Sequence, residues 1–440
     1  MLLTLGFSCG FCAVFLKGAN LLPSSDCSSV FEIAIWMSEG NMQAVVPKGS
    51  YLSLYPFQTG MIFIFEKMIR IFHTTDPLFF QGVNVLYVAL AITSGFGIVR
   101  LLCGRIEIIL PYLLFAGSYF PMLLNTGRIY GDVPSMALMM FATWMFLLFE
   151  RNGERRIRIL YGILGLAGTV LASTYRRNTL IYVLAVTLAF GLRLIRRFRW
   201  TDMLLAVCVL VLSAYSTGIT QKYYEYYADN TMGEGMPAMA SLAMGVQDSG
   251  GIPGGNNGFH VSAFLDCDYD VEATVAVSRE AWLGSWREFA DHPDILLDFF
   301  YRKLLLQWGN PTCGCFWQLA SLFQEPQSDF ALSVLYSQYG SRHDRLVSYM
   351  NWWQSALYGM FCVAFVRIVR DRVRDGERIS PLSFIPLITF IGGFLFSMIW
   401  EAGPRYVMAY PFLLLPFMLS NLRKPGSVQN GKVDGGGQEG

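Results

Sequence analysis

Ten apolar stretches punctuate the chain, and every second gap between them is loaded with arginine. The stretches fall at residues 2–16, 79–99, 106–124, 133–149, 160–173, 179–194, 203–220, 356–369, 383–400 and 406–420. A helix needs about 20 mostly apolar residues to cross a bilayer, so the shorter stretches must borrow flanking residues. The gap after the second stretch holds Arg100 and Arg105, and the gap after the fourth holds Arg151, Arg155, Arg156 and Arg158. The sixth is followed by Arg193, Arg196, Arg197 and Arg199, and the eighth by Arg367, Arg370, Arg372, Arg374 and Arg378. Arg423 and Lys424 follow the tenth. The other connections are poorer in Lys and Arg. Cytoplasmic loops carry the excess of basic residues, so the even-numbered exits are predicted to be cytoplasmic, with both termini inside. The first stretch begins at Met1 with no basic residue before it and no clear cleavage site. It is expected to stay as a span rather than be removed as a signal peptide.

The expected fold class is an all-α polytopic membrane protein of about ten transmembrane helices. Composition agrees. Only 15% of the 440 residues are charged and 54% are hydrophobic, whereas soluble domains carry about 25% charged residues. A net charge of +1 supplies no field to recruit nucleic acid. Nine cysteines show no metal-like spacing. Cys313-Gly314-Cys315 is the closest pair, and Cys9, Cys12, Cys103, Cys208 and Cys362 sit in apolar stretches as small core residues. The chain divides into an N-terminal membrane module (1–220), an extracytoplasmic region (221–353), three C-terminal spans (354–422) and a glycine-rich tail (423–440) expected to be disordered.

Three outer pieces hold the polar residues. In the first, Asp26 stands at a helix N-cap position ahead of Val30, Ala34 and Met37. Further on, Tyr51-Leu-Ser-Leu-Tyr55-Pro56-Phe57-Gln58-Thr-Gly60 leads into an amphipathic segment with Glu66, Lys67 and Arg70. Three charges make poor lipid neighbours, so that segment is expected to lie at the interface rather than span. The second piece is the turn 125–132, ending in Tyr130-Gly131-Asp132. The third, 221–353, is too long for a connector. It starts with the glycine-rich loop 250–258 and continues over 269–307 with helical periodicity. Trp282, Trp286, Phe289, Leu296, Phe299 and Phe300 mark its apolar faces, which fit either the membrane interface or a packed cap. Two further turns on the same side carry Arg176 with Arg177 and Glu401 with Arg405. Charges at that depth are costly unless paired or functional, so together with Asp26 and Asp132 they mark a candidate site.

The ordered set resembles the GT-C class of membrane glycosyltransferases. It is similar there to bacterial relatives of protein O-mannosyltransferases and of the lipid A aminoarabinose transferase, with a closer likeness to Gram-positive membrane proteins of this kind. The features are a first-loop acid, Tyr-Pro-Phe-Gln before an interfacial helix, a Tyr-Gly-Asp turn, an Arg-Arg-Asn turn and a long outer loop. In that loop the family's Gly-Trp-Tyr-Asn, Asn-Pro and Gln-Trp-Asn-Glu-Pro-Thr segments stand as Gly258-Phe259-His260-Val261, Asp291-His292-Pro293 and Gln307-Trp308-Gly309-Asn310-Pro311-Thr312. His260 and Val261 depart from the pattern, as does the absence of a clear second carboxylate near Asp26.

The resemblance implies a plasma-membrane enzyme with its site facing outward. The donor would be a sugar on a polyprenyl phosphate, and the acceptor a glycan, lipid or protein. Asp26 would be the base and Asp132 a second catalytic carboxylate. Arg176 and Arg177 would bind the donor phosphate, since guanidinium pairs with it bidentately. Tyr55, Gln58, Trp308, Glu401 and Arg405 would contact substrate. A divalent metal ion is compatible with the resemblance, but no ligand spacing in the sequence marks one. Repeat-unit polymerases share the span count, large outer loop and functional arginines. A lipid-linked sugar flippase is the non-enzymatic alternative, though no internal repeat supports it.

Overall fold

The computed structural model describes residues 1–41, 47–320, 328–375 and 380–422. The expected disordered tail, together with Arg423, Lys424 and Arg378, lies outside the described residues. Twenty α-helices run through the described chain. The N-terminal half holds α1 (Leu2–Ala19), α2 (Asp26–Ser38), α3 (Tyr51–Leu54), α4 (Thr59–Phe72), α5 (Pro77–Leu102), α6 (Ile106–Gly117), α7 (Phe120–Leu124), α8 (Asp132–Arg151), α9 (Arg155–Tyr175), α10 (Leu180–Arg196) and α11 (Trp200–Ala228). The outer region holds α12 (Ala238–Met244), α13 (Phe259–Asp266), α14 (Val271–Asp291), α15 (Pro293–Trp308), α16 (Cys315–Ala320) and α17 (Asp329–Leu335). The chain ends with α18 (Arg342–Asp375), α19 (Ile385–Ile399) and α20 (Ala409–Ser420).

Eight helices among the described residues are long and apolar enough to cross a membrane, namely α1, α5, α8, α9, α10, α11, α18 and α19. The third expected span is α6 followed by α7, bent by 41°, and counting that pair as one span brings the number to nine. Pro121, in the first turn of α7, has no N–H to bond the Gly117 carbonyl and so cannot continue α6, which accounts for the break. The tenth expected stretch, 406–420, is not among these, but it runs from Arg405 at the candidate site to Phe417, which packs on Phe384 at the opposite face. α20 has 12 residues, about 18 Å at 1.5 Å per residue, against a hydrocarbon core of about 30 Å. It is buried almost throughout and packs on α5, α6, α18 and α19. Its apolar sequence reflects enclosure by other helices.

The helix ends sort into two faces. On one, Arg193 of α10 bridges Glu150 of α8 at 2.5 Å and Asp202 of α11 at 2.9 Å, and Ser380 Oγ donates to Glu150. This face carries the arginine-rich connections. On the other lie the first loop, the turn 125–132, the turn 176–179 and the long outer region. The first loop follows its pattern. Val30, Ala34 and Met37 are buried on α2, and α4 is a 14-residue helix packed on α2 and α11 rather than a span. Its Glu66 is fully buried but satisfied by Arg70 Nε at 2.6 Å and Tyr224 Oη at 2.8 Å.

In the outer region, the loop at 250–258 opens with a two-residue hairpin, Asp248–Ser249 against Ile252–Pro253. Gly250 and Gly251 both have positive φ, as a tight two-residue hairpin turn demands. The periodic stretch 269–307 is two helices, because Pro293 cannot continue α14. Phe289 of α14 and Phe299 of α15 are buried together with Val246, and Trp282, Trp286, Leu296 and Phe300 pack around them. Phe289 and Phe299 therefore form the core of a cap, with the other four packed partly buried around it. The cysteine expectation holds for Cys12, which is buried, but not for Cys362, which is exposed on α18. Cys313 and Cys315 are buried free thiols.

Candidate functional site

The turn between α7 and α8 organises the site. Two amides on α5 hold its backbone. Gln81 Nε2 donates to Gly127 O at 3.1 Å and to Leu21 O at 2.8 Å. Asn84 Nδ2 donates to Thr126 O at 3.1 Å and to Arg128 O at 2.8 Å. Gly131 then lets this turn touch the end of α9. A Cβ there would stand 2.5 Å from Tyr175 O and 2.6 Å from Arg176 Cγ, which no side chain tolerates. The close approach brings Arg176 Nη1 within 3.0 Å of Asp132 Oδ1.

Tyr130 is the hub. Three guanidinium groups surround its ring, those of Arg176 at 5.3 Å and of Arg128 and Arg405 at 5.5 Å from the centroid. Cations over an aromatic face gain from its quadrupole, more so when desolvated. Gln58 Nε2 donates to Tyr130 Oη at 2.6 Å. Burial pushes the Tyr130 phenol up to about 12, with the charge of Asp26 adding to the shift and Arg176 and Arg405 opposing it. Arg128 donates Nη2 to Cys27 Sγ at 3.2 Å and Nη1 to Gln318 Oε1. Three buried or part-buried cations thus share one ion-paired carboxylate, Asp132. Asp132 Oδ2 and Arg128 Nε are buried without a hydrogen-bond partner among the described residues, and such orphans call for an explanation. Asp132, Ser135, Arg176, Asn178, Arg405 and Tyr406 line a cleft here, whose apolar walls include Met139 and Met408.

Asp26 occupies the neighbouring side. It is the first residue of α2, and the cap residue is Ser25, which makes no side-chain cap bond. The expected capping role is therefore corrected: Asp26 is exposed in the first helical turn. Ser25 has φ 52°, a strained value for a residue with a side chain, and such strain gathers at functional sites. The charge of Asp26 reaches a ring of groups. After burial, it is the next cause raising the Tyr55 phenol. Burial also holds the Glu401 carboxyl above the usual carboxylate range, and Asp26 adds to this while Tyr406 and Arg405 oppose it. Tyr406 Oη donates to Glu401 Oε1 at 3.1 Å. His260 Nε2 lies 3.3 Å from Tyr55 Oη, and its Nδ1 is buried without a partner among the described residues. Burial holds this imidazole below its usual value, against the pull of Asp26.

Of the residues picked from sequence, Asp132, Arg176, Arg405, Glu401 and Gln58 converge through direct contacts, and Tyr55 and Asp26 through their electrostatic influence. Two do not. Arg177 is exposed, and no bond or ring contact among the described residues joins it to the cluster. A one-residue step at the end of α9 reverses the direction of the side chain. Trp308 is 4% exposed, donates Nε1 to Ser397 Oγ at 2.9 Å and packs on Phe390, Phe394 and Tyr410. It staples α15 to α19. Sequence reasoning passed over Arg128, Tyr406 and the site role of Tyr130 and His260. Arg128 left one signal, a basic residue on the face that otherwise carries few. Among the described residues, no group of three or more His, Cys, Asp or Glu is set to hold a metal ion. The immediate partners of Asp132 are guanidinium groups, so its surroundings do not fit a cation.

The model of one protein family, described as conserved hypothetical integral membrane protein, matches residues 31–257, just over half the chain. The chain belongs to this family. The matched region carries Tyr55, Gln58, Arg128, Tyr130, Asp132 and Arg176, and it stops short of His260, Glu401 and Arg405. Neither a curated protein nor a solved structure matches the chain. Multi-pass membrane embedding follows from the family and the candidate spans together.

Proposed function

We propose that this chain is a glycosyltransferase that moves a sugar from a polyprenyl-phosphate donor to an acceptor on the outer side of the plasma membrane. The observation that carries the reading is the trio Arg128, Arg176 and Arg405 around Tyr130, offset by the one ion-paired carboxylate of Asp132. Three buried or part-buried guanidinium groups at the mouth of a helical bundle suit a phosphate carried on lipid, because guanidinium stays charged and presents paired donors. In the reaction, the acceptor oxygen attacks the anomeric carbon and the bond from that carbon to the phosphate oxygen breaks. The electron pair leaves with the lipid phosphate, and the configuration inverts. The arginines stabilise the charge that develops on the departing phosphate. Asp26, exposed and capping nothing, takes the acceptor proton. Asp132 holds Arg176 in place. Glu401, with its raised affinity for a proton, and Tyr55 face the same space from the acceptor side.

The test is sugar transfer from polyprenyl-phosphate donors by the full chain in nanodiscs, beside a donor-binding measurement. Asp26→Asn is expected to lower turnover by about a hundredfold to ten-thousandfold, the usual worth of a general base, with donor binding retained. Near-wild-type turnover in that variant removes Asp26 as base. Failure of every polyprenyl-phosphate sugar to bind the wild-type chain removes the donor class.

A further inference from the structure

We propose that α15 carries a lipid-contacting strip, Leu297, Tyr301, Leu304 and Leu305, which lies against the acyl chains of the leaflet on the side of the site. The inference does not depend on the glycosyltransferase reading. It starts from where the helix ends. The Trp308 carbonyl accepts from Gln354 Nε2 at 3.1 Å and from Tyr358 Oη at 3.0 Å, and both donors lie within the candidate span Arg342–Arg370. Gln307 Nε2 donates to Ser397 O at 3.1 Å, inside the candidate span Pro381–Ile399. One turn earlier, Lys303 is fully buried and spends its ammonium on three backbone carbonyls, Gly245 O, Met398 O at 2.9 Å and Trp400 O at 2.8 Å. The C-terminal part of α15, from Lys303 to Trp308, is thus tied to the outer ends of two candidate spans.

What remains exposed along the helix meets whatever surrounds that end of the spans. Leu297 is 71% exposed, Tyr301 64%, Leu305 48% and Leu304 36%. The spacing i, i+4, i+7 and i+8 puts them on one face of the helix. The charges of the same turns are paired or enclosed, with Asp298 exposed beside the strip. Arg302 is tied to Asp248 at 2.6 Å and Asp298 at 2.7 Å, and Lys303 is enclosed. Asp294 sits at the opposite, outer end of the helix. The neighbouring candidate span has an exposed apolar stripe of its own. Ile391, Leu395 and Ile399 form an exposed stripe on α19, and that stripe ends beside the carbonyls that hold Lys303. A second protein is a poor occupant, since stable interfaces engage about 20–30 residues a side and this strip offers four side chains. Lipid requires no such area. The strip differs from the tryptophan-rich face seen in the sequence, which packs against the core of the cap. α15 also packs on the turn Pro404–Val407, which bears Arg405 and Tyr406, so the helix in contact with lipid is the one that braces the site.

The test needs no substitution. The full chain in liposomes containing a phospholipid with a diazirine in its acyl chain is photolysed, and the adducts are mapped by mass spectrometry. Carbene labelling of the peptide spanning 297–305 at the level of the 391–399 peptide is the expected result, with hydroxyl-radical labelling of Tyr301 suppressed to the level of Tyr215 on α11. The absence of acyl-chain adducts on 297–305 while 391–399 is labelled overturns the proposal. So does crosslinking of that peptide to a second copy of the chain.

Discussion

At the residue scale, Arg176 donates to a carboxylate at 3.0 Å and faces two tyrosine rings, while Arg177 next to it faces outward. Breaking a buried pair by removing one partner leaves an uncompensated charge and costs about 3–5 kcal/mol. Arg176→Ala is therefore expected to lower the thermal unfolding temperature in detergent and to abolish binding of a phosphate ligand. Arg177→Ala is expected to leave both unchanged. Equal effects of the two substitutions would contradict the arrangement around Asp132. The motif Arg-Arg-Asn is legible in the sequence, but which arginine turns inward depends on the end of α9 and on the glycine it meets.

At the element scale, the site exists because three turns from distant parts of the chain come within bonding range. Gly131 is the contact that permits this. Gly131→Ala places a Cβ 2.5 Å from the Tyr175 carbonyl oxygen, a backbone atom that cannot swing aside. Overpacking of this kind costs about 1–3 kcal/mol, and here it also drives Asp132 away from Arg176. The expected outcome is a lower unfolding temperature together with weakened phosphate binding. Gly153→Ala is the control, since nothing lies within 4 Å of a Cβ there. Loss of stability with phosphate binding intact would place the turn outside the site. The helices of the first loop were legible from their apolar spacing. The bend between α6 and α7 was signalled only by a proline, and the enclosure of α20 was not signalled at all, because a helix wrapped by protein and one wrapped by lipid are equally apolar.

At the scale of the whole molecule, the arginine-rich connections gather on one face and the candidate site on the other. A reporter inserted at residues 152–154 and one inserted at 266–270 are thus expected on opposite sides of the membrane, the first in the cytoplasm. Signals from the same side would overturn the arrangement of spans. The sequence by itself determined the class of fold and the alternation of sides. Burying unpaired backbone groups in lipid costs so much that long apolar stretches must be helices, and basic residues resist translocation. It also led to the expectation that acids and arginines on the outer turns mark a site, since unpaired charges at that depth are costly. Only the tertiary structure decided which of them meet. The pairing of Asp132 with Arg176, the recruitment of Arg128 and Arg405 to Tyr130, and the diversion of Trp308 into packing all depend on contacts between residues far apart in the chain. Such contacts are fixed by how helices cross and where glycine allows backbones to touch. Local spacing carries no record of either.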